Sequence, residues 1–292
     1  MRFALITRER QRRIVAYVHE HGAVHIDKLA KVMRVSGSTI RADLDQLGLE
    51  RLIVRTRGGA MPFGRVTADG TLAAAPVGLP RTKRARAEQA ICDVGRRLYE
   101  RQLVAGCDGN LSCRLTDTLL LCTPTQICKG RLTPSDLCLV DPTGRLLAGW
   151  RPCTSELRLH LDIYERDPTA KGIVHCHAPH ATAFAVARVD IPTGVLPEVE
   201  VFLGTVPRAA YATPGGPELA ETIHPWIGQA NTVVLSNHGV VSWAGDLERA
   251  CWQVEILDSY CRILLLAGQL GHVERLPDDK LRELQALRPP PA

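Results

Sequence analysis

Between Arg81 and Leu276 the apolar positions alternate between two spacings. In "RTKRARAEQAICDVGRRLYERQ", Ala90, Ile91, Val94 and Leu98 recur at the three- and four-residue intervals of a helix face. "TLLLCTPT" and "DLCLVDPTGRLLAG" are short apolar runs broken by Pro and Gly, which predicts strands joined by turns. "SELRLHLDIYERDP" returns to helical spacing, with Leu157, Leu161 and Tyr164 on one side. A strand then runs into His175, a helix starts from Ala181, a β-rich patch extends to Thr205, and "PELAETIHPWIG" forms a helix. "NTVVLSNHG" is an apolar strand ending in a histidine, and a long helix follows in "DLERACWQVEILDSYCRILLLAGQL". This alternation predicts a layered α/β (α+β) domain.

The first sixty residues follow a different plan. Ile14, Val15 and Val18 pattern one helix, which Gly22 ends. Ile26, Leu29, Ala30 and Met33 pattern a second, and Ile40, Leu44 and Leu47 a third, with Ser36 as its N-cap. A basic hairpin follows. Beyond it, "MPFGRVTADGTLAAAPVGLP" is rich in Gly, Ala, Pro and Thr without any sustained period, which reads as a linker. The expected organisation is a small domain over 1–62, a linker over 63–80, a large domain over 81–278 and a C-terminal tail over 279–292.

Charge sharpens this division. Residues 1–61 carry 12 Lys/Arg against 6 Asp/Glu, leaving 24 against 25 for the rest of the chain. All the positive excess sits in the first fifth, the footprint of a small nucleic-acid-binding module on a neutral, enzyme-like body. No run approaches the roughly 18 apolar residues of a membrane helix, and the N-terminus lacks the apolar core of a signal peptide. The ten cysteines form no C-x-x-C pair and are scattered through apparent core segments, which points to free thiols in the cytoplasm.

The candidate chemistry begins with "GIVHCHAPH". On a strand, His175 and His177 share one face about 7 Å apart and can converge on a cation, while Cys176 points the other way into packing. Taken alone, the same pair also fits two hydrogen-bonded core histidines. "LSNHGV" adds His238 at the end of an apolar strand, beside a glycine that permits close approach. "DGNLSCRL" supplies Gly109, Asn110 and Ser112, and "TPTQICKGRLTP" supplies Thr123, Thr125 and Lys129. "CTSELRLH" places Thr154, Ser155 and Glu156 just before a helix, where hydroxyls and free N–H groups favour a phosphate. In the small domain, Gly37, Ser38, Thr39 and Arg41 lie outward at the start of the third helix, suited to phosphates and base edges. Arg55 and Arg57 in "RTRGGA" would lie against the DNA backbone.

Two resemblances follow from these motifs. Over most of residues 8–61 the chain resembles the DeoR-type winged helix-turn-helix, in which "VSGSTIRADLDQL" corresponds to the recognition helix and "RTRGGA" to the wing. Ala42 stands where that family usually has a second arginine. Across roughly 85–275 the motifs resemble, in order, those of the class II aldolase/adducin family, whose fuculose-phosphate aldolases cleave a keto-sugar phosphate. The expected fold is therefore a class II aldolase-like α/β domain preceded by a small winged helix-turn-helix.

That resemblance implies that His175, His177 and His238 bind Zn²⁺ or another divalent ion such as Mn²⁺. It implies that Glu156 ligates the metal and acts as acid/base, and that Asn110, Thr125, Thr154 and Ser155 contact phosphate. Lys129 suits an anion contact, whereas His180 matches no ligand. Gln126 replaces the family's glycine in the phosphate loop, and the family's tyrosine proton donors have no counterpart near "PTGVLPEV" or after Leu276. Tyr211 in "YATPGG" is the candidate donor. The related ribulose-phosphate 4-epimerases carry aspartate at the position of Glu156, whereas dehydratases and decarboxylases of the superfamily retain glutamate. The resemblance also implies a homotetramer. The expected function is a metal-dependent aldehyde-lyase acting on a sugar phosphate, joined to a module that binds double-stranded DNA. The alternative is a regulator whose aldolase-like domain senses the sugar phosphate.

Overall fold

A computed structural model describes residues 7–50, 52–56, 58–62, 81–149 and 151–288. Arg57 and the expected linker, 63–80, lie outside the described residues. Among the described residues no helix is long and apolar enough to cross a membrane.

The N-terminal unit runs α1 (Thr7–His21), β1 (Val24–His25), α2 (Ile26–Met33), α3 (Gly37–Leu49), β2 (Ile53–Thr56) and β3 (Gly59–Pro62). Its three strands form a small sheet in the order β1-β3-β2. The helices close on Ile14, Val18, Leu29, Ile40 and Leu44, all fully buried, which are the inward positions that helical spacing predicts. Gly22 ends α1 in the left-handed region at φ 76°. Ser36 caps α3 by accepting from the Thr39 N–H at 3.1 Å. A feature absent from the apolar pattern joins the first and third helices. Arg10 grips the buried Asp43 carboxylate with two parallel hydrogen bonds, of 2.6 and 3.1 Å.

The larger unit continues with α4 (Arg81–Glu100), β4 (Asn110–Thr116), β5 (Leu119–Cys122), β6 (Cys138–Val140), β7 (Leu146–Ala148), α5 (Leu157–Arg166), β8 (Gly172–Cys176) and α6 (Pro179–Ala187). It ends with α7 (Pro197–Phe202), β9 (Arg208–Ala209), α8 (Pro217–Ile223), β10 (Thr232–Leu235), β11 (Gly239–Ala244), α9 (Leu247–Leu270) and α10 (Asp278–Ala286). Eight strands form one sheet in the order β7-β6-β5-β4-β8-β11-β10-β9, antiparallel except for β9 against β10. Strand alternation sorts the core into two layers. Val174 and Cys176 join Ile91, Leu98, Val254 and Leu257 of α4 and α9 in one. Ile173 joins Leu159, Ile163, Leu219 and Trp243 in the other, beneath α5 and α8.

Two elements depart from the periodicity reading. The patch expected to be β-rich up to Thr205 holds the helix α7 instead. Pro197 starts that helix, and buried Glu200 accepts from the Gly194 N–H at 2.5 Å, a contact its Val-rich sequence does not announce. Gly239–Ala244, read as leading directly into the long helix, forms β11 and pairs with β8 and β10. The far end of the chain carries α10, and Arg288 just beyond it donates to the Glu200 carbonyl at 2.8 Å.

Candidate functional site

β8 is laddered on both sides by strands that help to build the site. His175 pairs in register with Asn110 of β4 and with Val241 of β11. His177 follows the strand end, and His238 arrives on the turn between β10 and β11, where its N–H bonds the Leu235 carbonyl at 3.0 Å. The ring centroids of the three imidazoles lie 4.7–5.2 Å apart. Their ligand nitrogens fall within 4.8 Å of one another, so the three residues could hold a metal ion.

Two glycines make room for this convergence. A Cβ at Gly239 would meet the Cys176 carbonyl oxygen at 2.5 Å and the His177 ring at 2.8 Å. Gly109, at φ 69°, lies so close to β8 that a Cβ would meet the His175 carbonyl oxygen at 2.8 Å.

The tautomers follow from the hydrogen bonds. His175 Nδ1 lies 2.9 Å from the Val240 carbonyl oxygen and therefore donates, which leaves Nε2 as a lone pair in the neutral ring. That Nε2 is buried without an aligned hydrogen-bond partner, 3.0 Å from Glu156 Oε2. His238 Nε2 lies 3.1 Å from Glu156 Oε1. Ring nitrogens this close to carboxylate oxygens repel unless positive charge lies between them. A proton satisfies one such contact at a time, whereas a divalent cation satisfies the whole group, so these residues fit a metal. The electrostatics agree. Burial alone would raise the Glu156 carboxyl, but the neighbouring imidazoles, His175 first, and the Asn110 amide hold it well below the usual carboxylate range. Burial chiefly, with the neighbouring His175 and His238, pulls His177 down to about 4, which makes it a neutral ligand near pH 7.

Behind Glu156 runs a directional hydrogen-bond chain. Asn110 Nδ2 donates to Glu156 Oε2 at 3.0 Å, and Asn110 Oδ1 lies 2.5 Å from His160 Nε2. The amide oxygen can only accept, so Nε2 carries the proton and Nδ1 accepts from Ser112 Oγ at 2.7 Å. Ser112 in turn lies 2.9 Å from the Tyr164 hydroxyl. Every donor thus points toward the carboxylate. Burial chiefly, with the nearby His175, drops His160 to about 3 and keeps it neutral.

The remaining expected residues divide. Thr154 is buried, its Oγ1 accepts from the Glu156 N–H at 3.3 Å, and its own N–H bonds the Thr123 carbonyl at 3.1 Å, which sets the turn before α5. Ser155 is exposed on that turn, and the Thr125 N–H is tied to the Pro152 carbonyl at 3.1 Å. Gln126, where glycine was expected, adopts the left-handed conformation at φ 54°. Asn110 has both ends of its amide engaged inside the protein, with one N–H left over. Lys129 is buried with its ammonium on the carbonyls of Cys107 and Ile127, where it fixes the loop leading to Asn110. Tyr211 is 54% exposed. Its loop approaches the site through Gly215, where a Cβ would lie 3.6 Å from the Ser155 carbonyl oxygen. His180 is engaged elsewhere. Its ring and N–H both bond Asp258 of α9 at 2.8 Å, and that carboxylate covers the start of α6.

Sequence reasoning missed His160 and Asp108. Asp108 Oδ2 lies 3.5 Å from His177 Nδ1 and is positioned to orient that ring. The signal for His160 was its place four residues beyond Glu156, one helical turn along α5 and facing inward.

In the N-terminal unit Ser38 and Arg41 are exposed at the start of α3 and Thr39 is half-buried beside them. Arg55 also has partners within its own unit. Its Nε donates to Asp45 of α3 at 2.8 Å and its Nη1 to the Gly59 carbonyl at 3.2 Å, so it braces the wing on the helix.

Comparison with known proteins agrees with both halves. Residues 10–62 match the DeoR-like helix-turn-helix domain, and residues 89–265 match the class II aldolase and adducin N-terminal domain. A 3-oxo-tetronate 4-phosphate decarboxylase of Cupriavidus necator is 32% identical over 68% of this chain and 93% of its own length. An L-fuculose phosphate aldolase of Methanococcus maripaludis is 33% identical over 60% of this chain and 93% of its own. Among solved structures, an L-fuculose 1-phosphate aldolase superposes with a TM-score of 0.64 at 30% identity, covering 69% of this chain and 95% of that one. The histidine cluster at the centre of the sheet is thus the candidate centre of a chain that belongs to the class II aldolase/adducin family and carries a DeoR-like helix-turn-helix domain at its N-terminus.

Proposed function

We propose that the large domain is a divalent-metal-dependent lyase that cleaves a carbon–carbon bond in a sugar phosphate, and that the N-terminal domain binds double-stranded DNA. The observation that carries the first part is the buried, unpartnered Nε2 of His175, facing Glu156 between two further imidazoles. His175, His177 and His238 would hold Zn²⁺ or Mn²⁺, with Glu156 beside it. The ion would supply Lewis acidity toward a substrate carbonyl and its neighbouring hydroxyl.

The protein's own groups do the rest. Glu156, held ionised, accepts the proton of the substrate hydroxyl as the carbon–carbon bond breaks, and it returns a proton to the carbon left with the electron pair. Asn110 and His160 keep the carboxylate oriented. Thr125, Thr154 and Ser155 receive the phosphate at the start of α5, with the remaining Asn110 N–H and Lys129 supporting the loop. Tyr211, brought in by its loop, is the alternative candidate for donating the proton that this carbon receives.

Loss of an aldehyde fragment and loss of carbon dioxide use the same charge placement. Retro-aldol cleavage of a ketose phosphate is the reading favoured by the solved aldolase, and decarboxylation of a 3-oxo acid phosphate by the Cupriavidus relative. Purified protein supplied with Zn²⁺ or Mn²⁺, assayed on phosphorylated ketoses for aldehyde and on 3-oxo acid phosphates for carbon dioxide, separates them. Turnover of neither class overturns the lyase reading.

A sensor reading draws on one further contact. Arg12 of α1 donates to Thr133 Oγ1 at 3.0 Å and lies 3.8 Å from Asp136, which is 3.7 Å from Arg151. Arg151 leads into the turn that carries Glu156, so ligand binding there has a path of contacts to the DNA-binding domain. If Arg12→Ala leaves intact a sugar-phosphate-dependent shift in operator affinity, that path is wrong.

A further inference from the structure

Three thiols meet under the turn that carries Glu156. Cys122 and Cys138 are direct cross-strand partners in β5 and β6, and both are fully buried. Cys153 reaches the same sheet through the antiparallel bridge between Pro124 and Cys153. Cys122 and Pro124 are two residues apart on one extended segment and share a face, so Cys153 lies diagonally across from Cys122 on that face. Two further observations tie the three residues together. Cys138 Sγ donates to the Arg151 carbonyl at 3.4 Å, two residues before Cys153. The acidity of each of the three thiols responds to the other two. All ten cysteines of the chain are free.

We propose that Cys153, Cys122 and Cys138 form a peroxide-sensitive thiol site, in which Cys153 is oxidised first and then forms a disulfide with one of the buried pair. Cys153 is half-buried and its two partners are sealed, so the order of reaction follows from access. The neighbouring thiols, Cys122 first, pull Cys153 down to about 4 despite its burial, which makes it the most acidic of the three. The same contacts, with burial, push Cys122 well up.

The chemistry closes with a hydroperoxide as oxidant. The Cys153 thiolate attacks one oxygen of the O–O bond, an S–O bond forms, and the other oxygen leaves as an alkoxide or hydroxide that takes up a proton. A thiol of the buried pair then attacks Sγ of the resulting sulfenic acid, an S–S bond forms, and water departs. Two thiols have lost two electrons and the peroxide has gained them. The new bond would tie Cys153 to the sheet three residues before Glu156. Any effect on catalysis rests on the reading of Glu156 above, whereas the thiol chemistry does not.

The test is thiol mapping of the full-length protein by mass spectrometry after treatment with hydrogen peroxide and alkylation. The expected product links Cys153 to Cys122 or Cys138, reverts with dithiothreitol, and is absent from Cys153→Ser. An intact Cys153, or a sulfinate on it without a disulfide, overturns the proposal. A second measurement on the wild type avoids reliance on the variant. The alkylation rate of Cys153 should stay flat between about pH 6 and 8, whereas an ordinary thiol slows roughly tenfold per pH unit there. A tenfold fall per unit at Cys153 would equally overturn it.

Discussion

Asn110 sits between Glu156 and His160, donating to the first at 3.0 Å and accepting from the second at 2.5 Å, so one amide fixes both the carboxylate and the tautomer of the ring behind it. Replacing it by leucine removes both contacts at once. Asn110→Leu should cost about 1–3 kcal/mol of stability through the unsatisfied buried groups, and should lower kcat more than it raises KM. Chemical denaturation and steady-state kinetics check the two effects separately.

Glu156→Gln tests whether this carboxylate moves a proton. The amide preserves size and one acceptor oxygen but cannot take up the proton, so turnover should fall by about 10²–10⁴ while the fold and ligand binding survive. Calorimetric titration beside a rate assay is sufficient. An unchanged rate would remove Glu156 from the chemistry.

For the metal, His175→Ala, His177→Ala and His238→Ala should each weaken divalent-ion affinity by at least about tenfold, and His180→Ala should leave it unchanged. His180 already has a partner in Asp258, far along α9. Elemental analysis of the four dialysed variants reads the result directly.

His160 makes a prediction about acid. Its folded value, about 3, lies below that of a free histidine, about 6.5, so the unfolded chain binds the extra proton between those pH values. Stability should therefore fall as pH drops through this window. In metal-free protein, His160→Asn should flatten that dependence. A dependence as steep in the variant as in the parent would show that other groups carry it.

In the N-terminal domain, Asp43→Ala removes both hydrogen bonds from Arg10 and should destabilise that domain by about 1–3 kcal/mol. Arg41→Ala leaves the fold alone and should weaken operator binding, which mobility-shift titrations at two salt concentrations will reveal. Because Arg55 braces the wing against Asp45, its loss should also loosen the hairpin, which hydrogen exchange at β2 and β3 can detect.

What could be read from the chain alone was mostly local. The alternation that put His175 and His177 on one face, the cap at Ser36 and the glycine beside His238 each depend on neighbours a few residues away. Helix α7 was hidden because Val199 and Val201 look strand-like, while a partner six residues upstream holds Glu200 in the helix. β11 was hidden because its apolar run follows the histidine turn without a break in pattern. The Asp108–His177 contact, the Arg10–Asp43 pair and the three-thiol cluster all join residues distant in sequence, and no periodicity encodes such meetings. The tasks of Asn110 and Lys129 escaped for the same reason: residue type marked them as polar and functional, but only the folded loop shows what they grip.

His175 occupies a strand held from both sides, by β4 through Asn110 and by β11 through Val241. A slip of β8 by a single residue would turn His175 toward the opposite layer, break its tether to Val240 and part it from Asn110 together. Intermediate arrangements that keep half the site are therefore closed to this sheet. The midline of the fold and the place where ligand chemistry happens are assembled in one step, and a chain that has paired these three strands correctly has already finished building its imidazole face.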